Sequence, residues 1–242
     1  NPLSTDDPYM PEPPKITSLQ LRLTAVNIIR DLKSIYTYKE LSRILGIPES
    51  LLCRYASGST VPSDPNSHLI IEKVTNSNLI REVLESLISV KNDGYVDTSK
   101  VYFFPHLLDL AINGILTTKC RVSFNKIITV VQNGVPFASF VSSVAKRPLV
   151  IVKKHKESVD FDYFEEPLME SNGVITSLYL RKDLIEKDDQ LLFVDDVIRS
   201  GKTFSAVKRL VEKAKAKISG VLVITSLTDL SKDTGLPFCK LI

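Results

Sequence analysis

From Ile16 to Leu32 the apolar residues Leu19, Leu21, Leu23, Val26, Ile28, Ile29 and Leu32 crowd one face of a helical wheel. Arg22, Arg30, Asp31 and Lys33 fall elsewhere, so the stretch predicts a helix. Thr37, with Glu40 at the third helical position, forms a capping-box pattern and predicts a second helix from Tyr38 to about Leu45, stopped by Gly46. Pro48 opens a third helix to about Ala56, since proline suits a first turn. Gly58, Pro62, Asp64 and Pro65 are then read as an exit loop. Leu79, Ile80, Val83, Leu84, Leu87 and Ile88 share a face and predict a helix over 76–91, ended by Gly94, as a connector or dimerisation helix.

Beyond about residue 100 the pattern becomes short apolar runs alternating with helical stretches. Strands are expected at Lys126–Val131, Leu149–Val152, Val174–Leu180, Leu191–Val194 and Val221–Ile224, with helices at 103–113, 135–145 and 201–215. That alternation predicts an α/β fold with a parallel sheet. The expected organisation is a proline-rich flexible tail over 1–14, an all-α unit over 15–65, a connector over 66–99 and an α/β domain over 100–242. No internal repeat or low-complexity run is present.

With 43% hydrophobic residues in 242, the chain has enough apolar surface for a packed protein, which excludes disorder. No run reaches about 18 apolar residues, so no membrane span is expected. Asp6, Asp7 and Glu12 near the start, without an apolar core, do not form a secretory signal. Cys53, Cys120 and Cys239 lie far apart, giving neither a disulfide framework nor metal-ligand spacing, and the expected compartment is reducing cytoplasm. The net charge of +3 is informative only when divided: residues 15–64 carry seven bases against four acids, a modest nucleic-acid-compatible surface.

The strongest chemical signal is LLFVDDVIRSGKT, Leu191–Thr203. Four apolar residues predict a buried strand, and Asp195 and Asp196 emerge at its carboxyl end, where open α/β sheets bind ligands. The Ser200-Gly201-Lys202-Thr203 turn then opens a helix whose free N–H groups face an anion. Such a construction holds a phosphorylated sugar, with carboxylates on the ribose hydroxyls and the turn on the 5′-phosphate. Gly201-Lys202-Thr203 does not complete a Walker A loop, because Asp196 stands where that motif needs glycine.

This stretch is similar to the phosphoribosyl pyrophosphate (PRPP) motif of type I phosphoribosyltransferases, and the resemblance spans about residues 100–242. It implies that Asp195 and Asp196 bind the ribose, and that Arg199, Ser200, Gly201, Lys202 and Thr203 surround the 5′-phosphate. KIITVVQNGVPFAS, Lys126–Ser139, looks like the family's pyrophosphate loop, which places Gln132, Asn133 and Gly134 on pyrophosphate. IVKKHKES, Ile151–Ser158, resembles the entry to the mobile catalytic loop, placing Lys153, Lys154 and Lys156 there as well, with the loop over 157–172. GLPFCKLI resembles the hood strand over the base. Mg2+ is implied as the cofactor, carried by PRPP rather than ligated directly by protein residues.

Two departures bear on catalysis. The 6-oxopurine branch carries Asp three positions after the second acid, and orotate-type enzymes carry Thr, whereas this chain has Arg199. The pyrophosphate loop also lacks a glycine-rich run. Both lead to the expectation of weak or absent transferase activity.

TYKELSRILGIPESLLCRYASGSTVPS, Thr37–Ser63, resembles the phage-repressor-like helix-turn-helix domains. That likeness implies buried Leu41, Ile44, Ile47, Leu51 and Leu52, and a double-stranded DNA surface of Lys39, Glu49, Ser50, Cys53 and Arg54. Together the two resemblances match archaeal transcriptional regulators. The resulting expectation is a homodimeric DNA-binding regulator that senses PRPP or a nucleotide, with an active orotate or purine phosphoribosyltransferase as the alternative.

Overall fold

The computed structural model describes residues 14–169 and 173–242. Apart from Pro14, the expected tail lies outside the described residues, as do residues 170–172 of the expected loop. Two compact units form: one from residues up to Ile80 with Phe104–Leu107, the other from Arg81–Phe103 with Leu108–Ile242.

The first unit is helical, with α1 Pro14–Lys33, α2 Tyr38–Leu45, α3 Glu49–Ser57 and α4 Asp64–Asn76. The capping box closes as the sequence leads one to expect. Thr37 Oγ1 accepts from the Glu40 amide at 3.3 Å, and the Glu40 carboxylate accepts from the Thr37 amide at 2.7 Å. Gly46 takes the left-handed φ of 68° that ends α2. Ile28, Ile29, Leu32, Leu41, Leu45, Leu52 and Ile70 are fully buried and make the core of this unit.

Two expectations change here. Asp64-Pro65 does not continue a loop: Ser63 caps α4 by accepting from the Asn66 amide, and Pro65 sits in the first turn. The helix expected over 76–91 breaks at Ser77, which is extended at φ −84° and ψ 159°. Its hydroxyl donates to the Val74 carbonyl and accepts from the Leu79 amide, so a new helix, α5 Leu79–Leu87, starts after it.

After α5 comes a hairpin of β1 Ser89–Val90 and β2 Val96–Asp97, which the connector reading missed, then a 3-10 turn over Ser99–Phe103 and α6 Pro105–Thr118. The α/β part runs β3 Lys126–Val130, α7 Gly134–Ala145, β4 Leu149–Val152, β5 Tyr163–Met169, β6 Ile175–Arg181, β7 Gln190–Ile198, α8 Lys202–Lys213, β8 Lys217–Ser226, α9 Ser231–Thr234 and β9 Phe238–Lys240. Five strands form a wholly parallel sheet in the order β4-β3-β7-β8-β9. β5 and β6 pair separately as an antiparallel hairpin. Leu191, Leu192, Phe193 and Val194 of β7 are fully buried, and the Phe193 and Phe204 rings meet edge to face at 5.3 Å, locking α8 onto the sheet.

Three further expectations are corrected. β5 occupies residues assigned to a loop, because Phe164, Glu166 and Leu168 pair across to Leu180, Leu178 and Thr176. GLPFCKLI supplies an edge strand of the main sheet, with Val221 opposite Phe238, rather than a separate hood. Cys120 and Cys239, 119 residues apart, form a disulfide with their Cα atoms 5.7 Å apart. The fold brings them together by seating Val122 against β8 at Gly220, where a Cβ would meet Val122 Cγ1 at 3.1 Å. Cys53 is free and exposed.

Candidate active site

In the sheet order, the chain proceeds from β3 outward to β4 and then returns to place β7 on the other side of β3. The order therefore reverses between β3 and β7, and a crevice opens at their carboxyl ends. β7 pairs with β3 only as far as Phe193, then continues beside β8 through Ile198. Asp195 and Asp196 fall in that freed stretch.

A cleft of about 590 Å³ lies there, lined by residues 130–134 and 153–155, by Asp195, Asp196 and Val197, and by Leu168 and Thr203. A second, of about 330 Å³, is lined by residues 197–204 with Leu168, Met169 and Asp195. The two share Leu168, Asp195, Val197 and Thr203, so Asp195 stands between two lobes while Asp196 faces the larger.

A glycine stands at a helix start in each lobe. In the smaller, Gly201 adopts φ 73° and a Cβ there would meet Leu230 Cδ2 at 2.7 Å, so only glycine lets the turn lie this close. α8 begins at Lys202 with no side-chain cap, directing its first N–H groups and the positive end of its dipole into the lobe. In the larger, Gly134 opens α7 where a Cβ would meet Asp195 Oδ1 at 2.5 Å and Thr129 Oγ1 at 2.7 Å. The Val131-Gln132 peptide bond is cis.

The carboxylates are organised by short bonds. The Asp196 amide donates to Asp195 Oδ1 at 2.9 Å, and Thr98 Oγ1 donates to Asp196 Oδ2 at 3.3 Å. Burial, and then the neighbouring Asp196 carboxylate, push the Asp195 carboxyl well above the usual aspartate range. Burial likewise raises the Tyr102 phenol, with Asp196 adding to the effect. The Arg199 guanidinium lies 5.1 Å from the centre of the Tyr95 ring, tying the smaller lobe to the turn before β2.

The structure thus gathers Gln132, Asn133, Gly134, Lys153, Lys154, Asp195 and Asp196 around the larger lobe, and Arg199, Ser200, Gly201, Lys202 and Thr203 around the smaller. Lys156 is the exception. Its ammonium lies 5.4 Å above the Tyr179 ring and 3.9 Å from the Glu165 carboxylate, on the β5–β6 hairpin. Lys153 pairs with Glu157, which holds that carboxyl below its ordinary value. His155, Leu168, Thr98 and Tyr102 were not foreseen. His155 sits inside the basic run already singled out, whereas nothing local in the sequence marks Thr98 or Tyr102.

This sheet, switch point and PRPP-type motif define a type I phosphoribosyltransferase domain. Residues 111–234 match the phosphoribosyl transferase domain family, about half of the chain, and the chain belongs to that family. It is 33% identical over 131 residues to an adenine phosphoribosyltransferase of Pelagibacter ubique, covering 52% of this chain and 70% of that protein. It is 29% identical over 161 residues to a hypoxanthine/guanine phosphoribosyltransferase of Methanocaldococcus vulcanius, covering 64% of this chain and 85% of that protein. Its fold resembles the crystal structure of adenine phosphoribosyltransferase from Rhodothermus marinus, with a TM-score of 0.59 and 24% identity, covering 68% of this chain and 98% of that one.

These relatives overturn the reading of the chain as a DNA-binding regulator with weak or absent transferase activity, because the proteins it matches are named as transferases. Lys39, Glu49, Ser50, Cys53 and Arg54 are exposed as expected, but their exposure alone does not make a nucleic-acid surface. The Arg199 and loop-glycine departures likewise do not set the chain outside the family.

Proposed function

We propose that this protein is a catalytically active phosphoribosyltransferase that joins a purine base, adenine foremost, to C1 of the ribose of PRPP. The observation that carries this reading is the Asp195–Asp196 pair at the switch point, with Asp195 lining both lobes of the cleft. A 5′-phosphate fits the α8 N-terminus at Ser200–Thr203. Pyrophosphate fits the Gln132–Gly134 loop, with Lys153, Lys154 and His155 facing it. Asp195 and Asp196 then accept hydrogen bonds from the ribose hydroxyls between them.

In the reaction a ring nitrogen of the base forms the new bond to C1. The C1–oxygen bond breaks, pyrophosphate departs with the electron pair, and the N–H proton of the base passes to solvent. The protein's contribution is to hold the ring while positive charge develops at C1, and to fix the departing pyrophosphate against backbone amides. The donor set suits magnesium entering with the substrate. Asp195 and Asp196 place hard carboxylate oxygens on the cleft that the ion would face as it enters with PRPP. Held by PRPP, magnesium would neutralise leaving-group charge.

Adenine is favoured because the acidic residue of the 6-oxopurine branch is replaced by Arg199, and because the 33%-identical relative is named for adenine. Hypoxanthine or guanine is the second reading, supported by the relative aligned over 85% of its length. Turnover of PRPP with a panel of purines and orotate decides between them. Release with adenine alone supports the first reading, and release with a 6-oxopurine alone supports the second. We also read α2, Gly46 and α3 as a helix-turn-helix in shape only.

A further inference from the structure

Two hydroxyls buried beside the carboxylate pair, Thr129 Oγ1 and Tyr102 Oη, have no hydrogen-bond partner among the described residues. Thr129 is the more telling. It is fully enclosed in β3, within a run of Ile127, Ile128 and Val130 where valine would match its shape without carrying a polar group. A buried donor without an acceptor lowers stability, so the hydroxyl has no role in the free fold that accounts for it.

Its surroundings supply one. A Cβ built on Gly134 would stand 2.7 Å from Thr129 Oγ1 and 2.5 Å from Asp195 Oδ1, so the hydroxyl and the carboxylate oxygen converge on one point at the start of α7. Asp195 Oδ1 accepts one bond, from the Asp196 amide, and a carboxylate oxygen has room for another. We propose that Thr129 is a positioning residue whose hydroxyl donates to Asp195 when sugar hydroxyls engage the carboxylate pair, holding that side chain toward the ribose. This rests on the PRPP reading of the site. The hydroxyl acts through Asp195 and touches no substrate. Its bond is made in the liganded arrangement, which is why the free protein carries it unsatisfied.

Thr129→Val and Thr129→Ser test this by calorimetric titration of the full chain with PRPP and Mg2+, alongside thermal unfolding without ligand. The valine variant should melt no lower than wild type yet bind PRPP about tenfold more weakly. The serine variant, which keeps the hydroxyl and loses a core methyl, should melt lower yet bind within about twofold of wild type. Wild-type affinity in the valine variant, or equal loss in both, overturns the proposal while leaving the PRPP reading intact. Failure of wild type itself to bind PRPP overturns both.

Discussion

A methyl group on Gly134 would stand 2.5 Å from Asp195 Oδ1, inside van der Waals contact, so the first turn of α7 and the Asp195 carboxylate share space that only glycine leaves open. Gly134→Ala should therefore push Asp195 or the 131–133 loop aside. We expect PRPP affinity to fall by at least about tenfold, because each hydrogen bond to a charged group is worth about 1.5–3 kcal/mol. Calorimetry checks the affinity and circular dichroism the retained fold. Wild-type binding by a folded Gly134→Ala protein would contradict the close approach.

Asp195 is held against its own ionisation by burial and by Asp196. A carboxyl whose folded value lies above its unfolded one binds its proton more tightly in the fold. Its effect is thus to destabilise the protein at neutral pH and to relax as pH falls through the raised folded value. Asp195→Asn should melt higher than wild type at pH 7, with the gap narrowing as pH is lowered toward the ordinary aspartate value. The same variant should lose PRPP binding. A lower melting temperature than wild type at pH 7 would show that the carboxylate supports the free fold.

How far the sequence led to this site can be judged residue by residue. Asp195, Asp196 and the 200–203 turn were legible because strand, carboxylates and turn are contiguous, so local pattern fixed their geometry. Strands β3, β4, β7 and β8 were legible for the same reason, although β7 runs four residues beyond Val194 and carries the acids within it, whereas β9 was read as a hood strand and the stretch expected as a strand at Val174–Leu180 pairs in the antiparallel hairpin. Thr98 and Tyr102 were not legible, because their meeting with Asp196 depends on a fold-back across about a hundred residues. The β5 strand was hidden by the adjacent acids Glu165 and Glu166 and by Pro167, which read as loop until Glu166 is seen buried between two cations. Lys156 shared the basic run of Lys153 but faces the aromatic surface of the hairpin instead.

Glu166 is almost fully buried, paired with Arg209 and, at 2.7 Å, with Lys213, both on α8. These contacts bolt β5, whose end lines both lobes, to the helix whose first turn lines the smaller lobe. Glu166→Gln keeps the shape but removes the charge, and should cost about 1–3 kcal/mol of stability. The unfolding free energy by denaturant titration checks this. An unchanged midpoint would mean that the hairpin is held by Phe164 and Leu168 packing alone.

With Cys120 joined to Cys239 and Cys53 exposed, a thiol titration of the denatured, unreduced protein should find one reactive group. Reductant, or Cys239→Ser, should lower stability by about 2–5 kcal/mol, because the bond closes a long loop in the unfolded chain. Three thiols in the unreduced protein would remove the bond from the account.

Pyrophosphate formation from PRPP, Mg2+ and adenine, measured for wild type beside Asp195→Asn/Asp196→Asn, decides whether this protein is a transferase. Wild type should release pyrophosphate steadily, with AMP formed in equal amount, and the double variant none above background. PRPP bound tightly by wild type, with no pyrophosphate from any purine, would contradict the transferase reading.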